Sequence, residues 1–232
     1  MSELELREGE NVPLSLDLRT VRGRPTPEVP FRLDGRIAVG RPQVRRLTSA
    51  DAGQDVELAH FIKAESAKRN YFLTALSCTF ISDDDQSLAT AWLRLSLSCP
   101  GDNHDGGPIA CSMDPLVLDE IRVLPYSIKL TVPCVINSEI SLQGSRGMRE
   151  SAVQALYEGT DKPAWTFAET STKRLHGVQR LRLVVRAPAG HTVKGSIDVG
   201  ATVRHRRFGT NVFSYTAPAT GLPESLQFDF SH

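Results

Sequence analysis

Leu88-Ala-Thr-Ala-Trp-Leu-Arg-Leu-Ser-Leu-Ser-Cys99 decides how the chain is read. Ala89, Ala91, Leu93, Leu95, Leu97 and Cys99 fall on one side of an extended backbone. Thr90, Trp92, Arg94, Ser96 and Ser98 fall on the other. A strict period of two is the signature of a strand with one buried and one wet face, which is the habit of antiparallel sheets. The same alternation recurs outward from it. Phe31, Leu33, Ile37 and Val39 oppose Arg32, Asp34 and Arg36, and Ile128, Leu130, Val132 and Cys134 oppose Ser127, Lys129 and Thr131. Val193, Ile197, Val199, Ala201 and Val203 oppose Lys194, Ser196, Asp198, Thr202 and Arg204. Shorter candidate strands lie at Leu14–Leu18, Leu181–Ala187, Val212–Thr216 and Leu226–Phe230.

The expected fold is therefore mainly β, an antiparallel β-sandwich of about ten to twelve strands across residues 1–232 as a single domain. Tyr71–Ile81 and Leu88–Cys99 read as a hairpin through Ser82–Ser87, and Leu181–Ala187 with Val193–Arg204 as another through Pro188–His191. Helix is scarce. Met148–Tyr157 places Met148, Ala152, Ala155 and Leu156 on one stripe and predicts a short helix near 148–158. Val56–Ala64 fits either period and is read as a strand. The proline cluster at 24–30 and the stretch Pro100–Pro108 read as exposed loops.

The composition is that of an ordinary globular chain: 232 residues, 40% apolar and 23% charged. No run approaches the length of a spanning helix, and Met1–Leu18 shows no signal-peptide pattern. Four cysteines (Cys78, Cys99, Cys111, Cys134) form no CxxC pair, so they are expected as reduced thiols in a cytoplasmic protein. The 21 arginines against 6 lysines point to a GC-rich bacterial source.

No GxSxG, SxxK, HExxH or phosphate-cradling motif is present, so no enzyme chemistry and no cofactor is expected. Cys111 beside Ser112, with His104 upstream, is the nearest approach to a Cys–His pair. Asp102 and Asp105 in the loop Asp102-Asn103-His104-Asp105-Gly106, and the turn Asp83-Asp84-Asp85, carry carboxylates that could serve calcium. Their spacing fails the EF-hand pattern, and Asp, Asn and Gly favour turns without any ion. Trp165 and Phe167 stand at strand spacing and read as core aromatics.

Charge is the more informative feature. The formal charge is zero, from 27 basic and 27 acidic residues, yet Ser82–Ile121 holds eight acids and one base, Arg94. Ser171–Thr210 holds nine bases and one acid, Asp198. The expected function is a non-enzymatic protein-interaction or self-assembling module with salt-sensitive contacts. Its surface would be built from Trp92 and Arg94 and from Arg182, Arg186, Arg204, Arg206 and Arg207, with Asp83, Asp84, Asp85, Asp102 and Asp105 as the acidic counter-surface. The partner would be another protein or a second copy. Alternatives are a membrane-active β-protein using the hairpin at 71–99, and a nucleic-acid or small-ligand binder using the basic hairpin at 180–207.

Overall fold

The computed structural model describes residues 11–20, 31–52, 55–82, 86–100, 106–118, 152–170, 174–207, 211–220 and 226–230. In chain order these form β1 (Asn11–Thr20), β2 (Phe31–Gly40), β3 (Gln43–Leu47), α1 (Val56–Glu65), β4 (Arg69–Phe80), β5 (Gln86–Ser98) and β6 (Ile109–Asp114). There follow β7 (Val117–Leu118), β8 (Ala152–Leu156), β9 (Ala164–Ala168), β10 (Gly177–Pro188), β11 (Lys194–Arg207), β12 (Asn211–Thr220) and β13 (Gln227–Asp229). The strand SIKLTVPC and the loops at 24–30 and 101–105 lie outside the described residues.

Two antiparallel sheets make a β-sandwich, as the alternation predicts. Sheet A runs β6-β10-β4-β2-β1, with β3 also on β4. Sheet B runs β12-β11-β5-β9-β8-β7, with β13 also on β11, and the two join where β1 pairs β12. Their inner faces bury one another. Phe72, Leu76, Cys78 and Phe80 of β4 and Leu181, Leu183 and Val185 of β10 meet Leu93, Leu95 and Leu97 of β5, Ile197 and Val199 of β11, and Trp165 and Phe167 of β9 in one apolar cluster. Phe80 and Phe167 touch across the layers with ring centroids 4.9 Å apart. Both β9 aromatics are core residues, and the Trp165 Nε1–H donates to the Pro115 carbonyl at 3.0 Å, so the indole is buried without orphaning its polar atom.

The two sequence-predicted hairpins are not hairpins. β4 pairs with β10, β2 and β3, and β5 pairs with β11 and β9. β10 pairs with β4 and β6, whereas β11 belongs to sheet B. Each connection crosses from one sheet to the other. Ser82 holds the first crossing: its Oγ donates to the Leu175 carbonyl at 2.8 Å and accepts from the Leu88 amide at 3.1 Å. Alternation shows which face of a strand is buried; it does not show whether the buried face meets its partner sideways or across the core.

Two element types also differ from the sequence expectation. Ala152–Leu156, expected within a helix, is strand β8, and Met148–Ser151 lie outside the described residues. Its backbone is paired residue by residue with β9 from Ala152↔Ala168 to Leu156↔Ala164, which buries Val153 beside Phe167. Tertiary pairing here overrides the helix preference of Ala, Gln and Leu. Conversely Val56–Ala64, read as a strand, lies in α1. Asp55 caps it by accepting from the Leu58 amide at 2.9 Å, and Leu58 and Ile62, four residues apart, are buried. That stripe covers Tyr71, Leu73 and Val184 on the outer face of sheet A, forming a second, smaller core with Leu47 and Ala52. No helix of the described residues is long and apolar enough to cross a membrane.

Gly195 of β11 shows how tightly the sheets close at one end. It stands opposite Phe228 of β13, whose ring lies where a side chain would begin: a Cβ would sit 2.3 Å from Cζ. Phe228 in turn packs on Phe230, and Phe230 on Phe72 of sheet A. Gly195→Ala should therefore push β13 away and lower stability by about 1–3 kcal/mol, the usual cost of overpacking. The fall would be read as a lower urea midpoint, and Gly195→Ala should cost much less when introduced into a Phe228→Ala background.

Candidate interaction surface

Each sheet has an outer face, and the two differ. Sheet A is covered in part by α1, with Arg182 and Arg186 of β10 half-buried on the same face as Val184. Arg182 stands directly opposite Asp114 of β6. Burial pushes the Asp114 carboxyl above its ordinary range, and the Arg182 guanidinium beside it pulls the other way. Tyr71, opposite Arg186, is pushed up to about 12, first by burial and then by the Cys111 and Glu65 charges.

Sheet B carries Trp92 and Arg94 on the outer side of β5. The Arg94 guanidinium carbon lies 5.6 Å from the centre of the Trp92 ring, within cation–π range. In register, Trp92 faces Thr166 of β9 on one side and Gly200 of β11 on the other, so the bulky indole has a neighbour with no side chain. It is half-buried, and α1, the α-helix among the described residues, packs on the other sheet. Arg94 is exposed and stands opposite Asp198 of β11. Asp198 is exposed and makes no ion pair or hydrogen bond among the described residues.

The residues expected to share one surface are thus divided. Trp92 and Arg94 lie on the outer face of sheet B, and Arg182 and Arg186 on the outer face of sheet A. Arg204, Arg206 and Arg207 are placed by their backbone in β11, opposite Ser214, Val212 and Asn211 of β12. Asp83, Asp84, Asp85, Asp102 and Asp105 lie outside the described residues, with the calcium readings that rested on them. Charge that is segregated along the chain is interleaved in space. β5 and β6 of the acidic stretch pair with β11 and β10 of the basic one. The lone base of the acidic stretch, Arg94, faces the lone acid of the basic stretch, Asp198. Sequence order alone gave no sign of this pairing, since the partner of each strand is more than 60 residues away.

The Cys–His reading finds no support in the thiol's surroundings. Cys111 packs against the cluster beneath α1 and its Sγ donates to the Val184 carbonyl at 3.3 Å. Burial pushes its thiol up to about 12, opposed by the Arg186 charge, so it is protonated and unreactive at neutral pH. Cys78, deep in the main core, is pushed up as well. His104 lies outside the described residues.

No protein-family model matches the chain, and no curated protein matches it. Among solved structures it is similar to Clostridium perfringens delta-toxin, at 9% identity and a TM-score of 0.30, over 97% of this chain and 94% of that one. A likeness at that score carries no argument about function.

Two measurements check this geometry. Alkylation of the native protein at pH 8, followed by peptide mapping, should modify Cys99, which is half-buried with its Sγ donating to the Thr192 carbonyl, before the fully buried Cys78 and before Cys111, whose thiol is pushed up by burial. Unfolding should expose all of them. Asp114 has a folded pKa raised above its unfolded value, so its contribution to stability is full below the unfolded pKa and is lost as pH rises through the folded one. The urea midpoint of the parent protein relative to Asp114→Asn should accordingly decline as pH rises from the ordinary aspartate range of about 3.9 upward.

Proposed function

We propose that the protein is a non-enzymatic self-assembly module that docks through the outer face of sheet B onto a second copy of itself. The observation that supports this reading is the arrangement around Trp92. A half-buried indole lies under Arg94, next to an unpaired Asp198, on the sheet face that α1 leaves bare. The patch is self-complementary. A two-fold axis between β5 and β11 lays Arg94 of one copy on Asp198 of the other and the reverse, which is the reciprocity an isologous contact needs. Exposed ion pairs contribute little each, at most about 1 kcal/mol, so they fix register while Trp92 supplies the buried area. Zero net charge removes the long-range repulsion that would keep copies apart.

Light scattering after size exclusion tests the proposal. The parent protein should be a dimer at low salt and should dissociate as salt rises and screens the pairs. Trp92→Ala should be monomeric. Arg94→Asp and Asp198→Arg should each be monomeric, and the double reversal should restore the dimer, with circular dichroism showing all of them folded. A parent protein that is monomeric at every concentration and salt, or a double reversal as monomeric as the single ones, overturns it.

A further inference from the structure

A cleft of about 650 Å³ opens where β5, β11 and β13 run beside the β2–β3 turn. That volume is within the range of small-molecule sites. Its wall is set by strand register. Ser98, Lys194 and Asp229 form one row across the three strands, and Ser96, Ser196 and Gln227 another. Directly opposed residues of antiparallel strands point to the same face, so these six side chains project together. Between the two rows, Leu97 and Phe228 take the opposite face by register, the Phe228 ring fills the space where Gly195 would carry a side chain, and Gly195 and Phe228 line the cleft with Pro42 and Val44. The cleft therefore has an apolar backing and a polar wall.

Arg41, from the β2–β3 turn, also lines the cleft and is exposed. No ion pair or hydrogen bond among the described residues engages Arg41, Lys194 or Asp229, although Lys194 and Asp229 are register partners. The cleft thus holds two unpaired cations, one carboxylate and three hydroxyls. Two cationic donors exceed what one carboxylate neutralises, and a tetrahedral dianion is the ligand whose charge and acceptor oxygens match a guanidinium together with an ammonium. The serine hydroxyls, the Gln227 amide and Asp229 then suit a ligand whose remainder carries hydroxyl groups, since a carboxylate accepts from them.

We infer that this cleft binds a phosphate monoester of a small polyol, with Arg41 and Lys194 holding the phosphate and Asp229, Ser96 and Ser196 receiving the hydroxyl groups. The cleft continues the outer face of β5 and β11 from the next row beyond Arg94 and Asp198, and the inference rests on the cleft's own residues rather than on self-association. The same phosphate chemistry is presented by a free metabolite or by a lipid headgroup, and the experiment separates these.

The test is an amide-resolved NMR titration of the full chain with inorganic phosphate, sn-glycerol 3-phosphate and glycerol, each against sodium chloride of matched ionic strength. Both phosphates should give saturable shifts at Ser98, Lys194, Gly195, Ser196 and Phe228, with glycerol 3-phosphate the tighter. Glycerol alone should give none. Arg41→Gln/Lys194→Gln, two exposed positions outside the core, should weaken binding about tenfold or more with the remaining spectrum unchanged. Co-sedimentation with phosphatidic acid vesicles but not phosphatidylcholine vesicles, lost in the double variant and without response to soluble phosphate, assigns the headgroup as the source. The inference is overturned by the absence of saturable shifts together with absence of vesicle binding, by shifts equal to those from sodium chloride, or by binding that the double variant retains.

Discussion

Everything in this molecule follows from the contact between the inner faces of its two sheets. Neither face is stable in water, and each is the other's cover. Phe80 on Phe167, with Leu93 and Leu95 beside Leu181 and Leu183 in the same cluster, removes from water the apolar sides that the alternation prepares. At roughly 25 cal/mol per Å² of apolar surface buried, this is the dominant favourable contribution to the fold. It also dictates the connections. β5 and β4 bury their apolar sides against each other's sheets, so the chain between them crosses the sandwich rather than turning back beside itself, and Ser82 is bonded to the Leu175 carbonyl where it does so.

That constraint has consequences for the charged residues, which occupy what the core leaves over. Crossing connections place sequence neighbours in different sheets and bring distant strands side by side. An acidic stretch and a basic stretch, separated by about 50 residues of chain, become adjacent strands, so Arg182 stands opposite Asp114 and Arg94 opposite Asp198 across single ladders. The zero net charge is in part local compensation. The two outer faces are left unequal because α1 covers part of one. On that covered side the thiol of Cys111 and the phenol of Tyr71 are held neutral by burial. The other side keeps Trp92, Arg94 and Asp198 in contact with solvent, and the polar rows of the cleft continue along the same strands.

Much of the architecture was legible from residue order. The period of two located most strands and their buried sides, and the core residues named from it at Leu93, Leu95, Leu97, Ile197 and Val199 are core residues. The failures share one cause, which is that local pattern competes with pairing. Ala152–Leu156 has helix-favouring side chains and becomes a strand because β9 offers it a complete ladder. Val56–Glu65 satisfies both periods and becomes a helix because Asp55 caps it and sheet A offers a patch for Leu58 and Ile62. Trp92 and Arg94 could be singled out as polar-face residues on one strand. Asp198 could not be joined to them, nor Ser96 and Ser98 to Lys194 and Asp229, because each pairing is made across strands.

The sequence by itself determined that this chain is a β-sandwich, which sides of its strands are dry, and that its charges balance while being unevenly spread. Those properties are local, written in a repeat that any extended backbone displays. Only the tertiary structure decided which strands are neighbours, which outer face α1 packs on, and which polar residues share a cleft. Strand order and register are set by how two sheets close over a common core, and that closure depends on contacts between residues far apart in the chain.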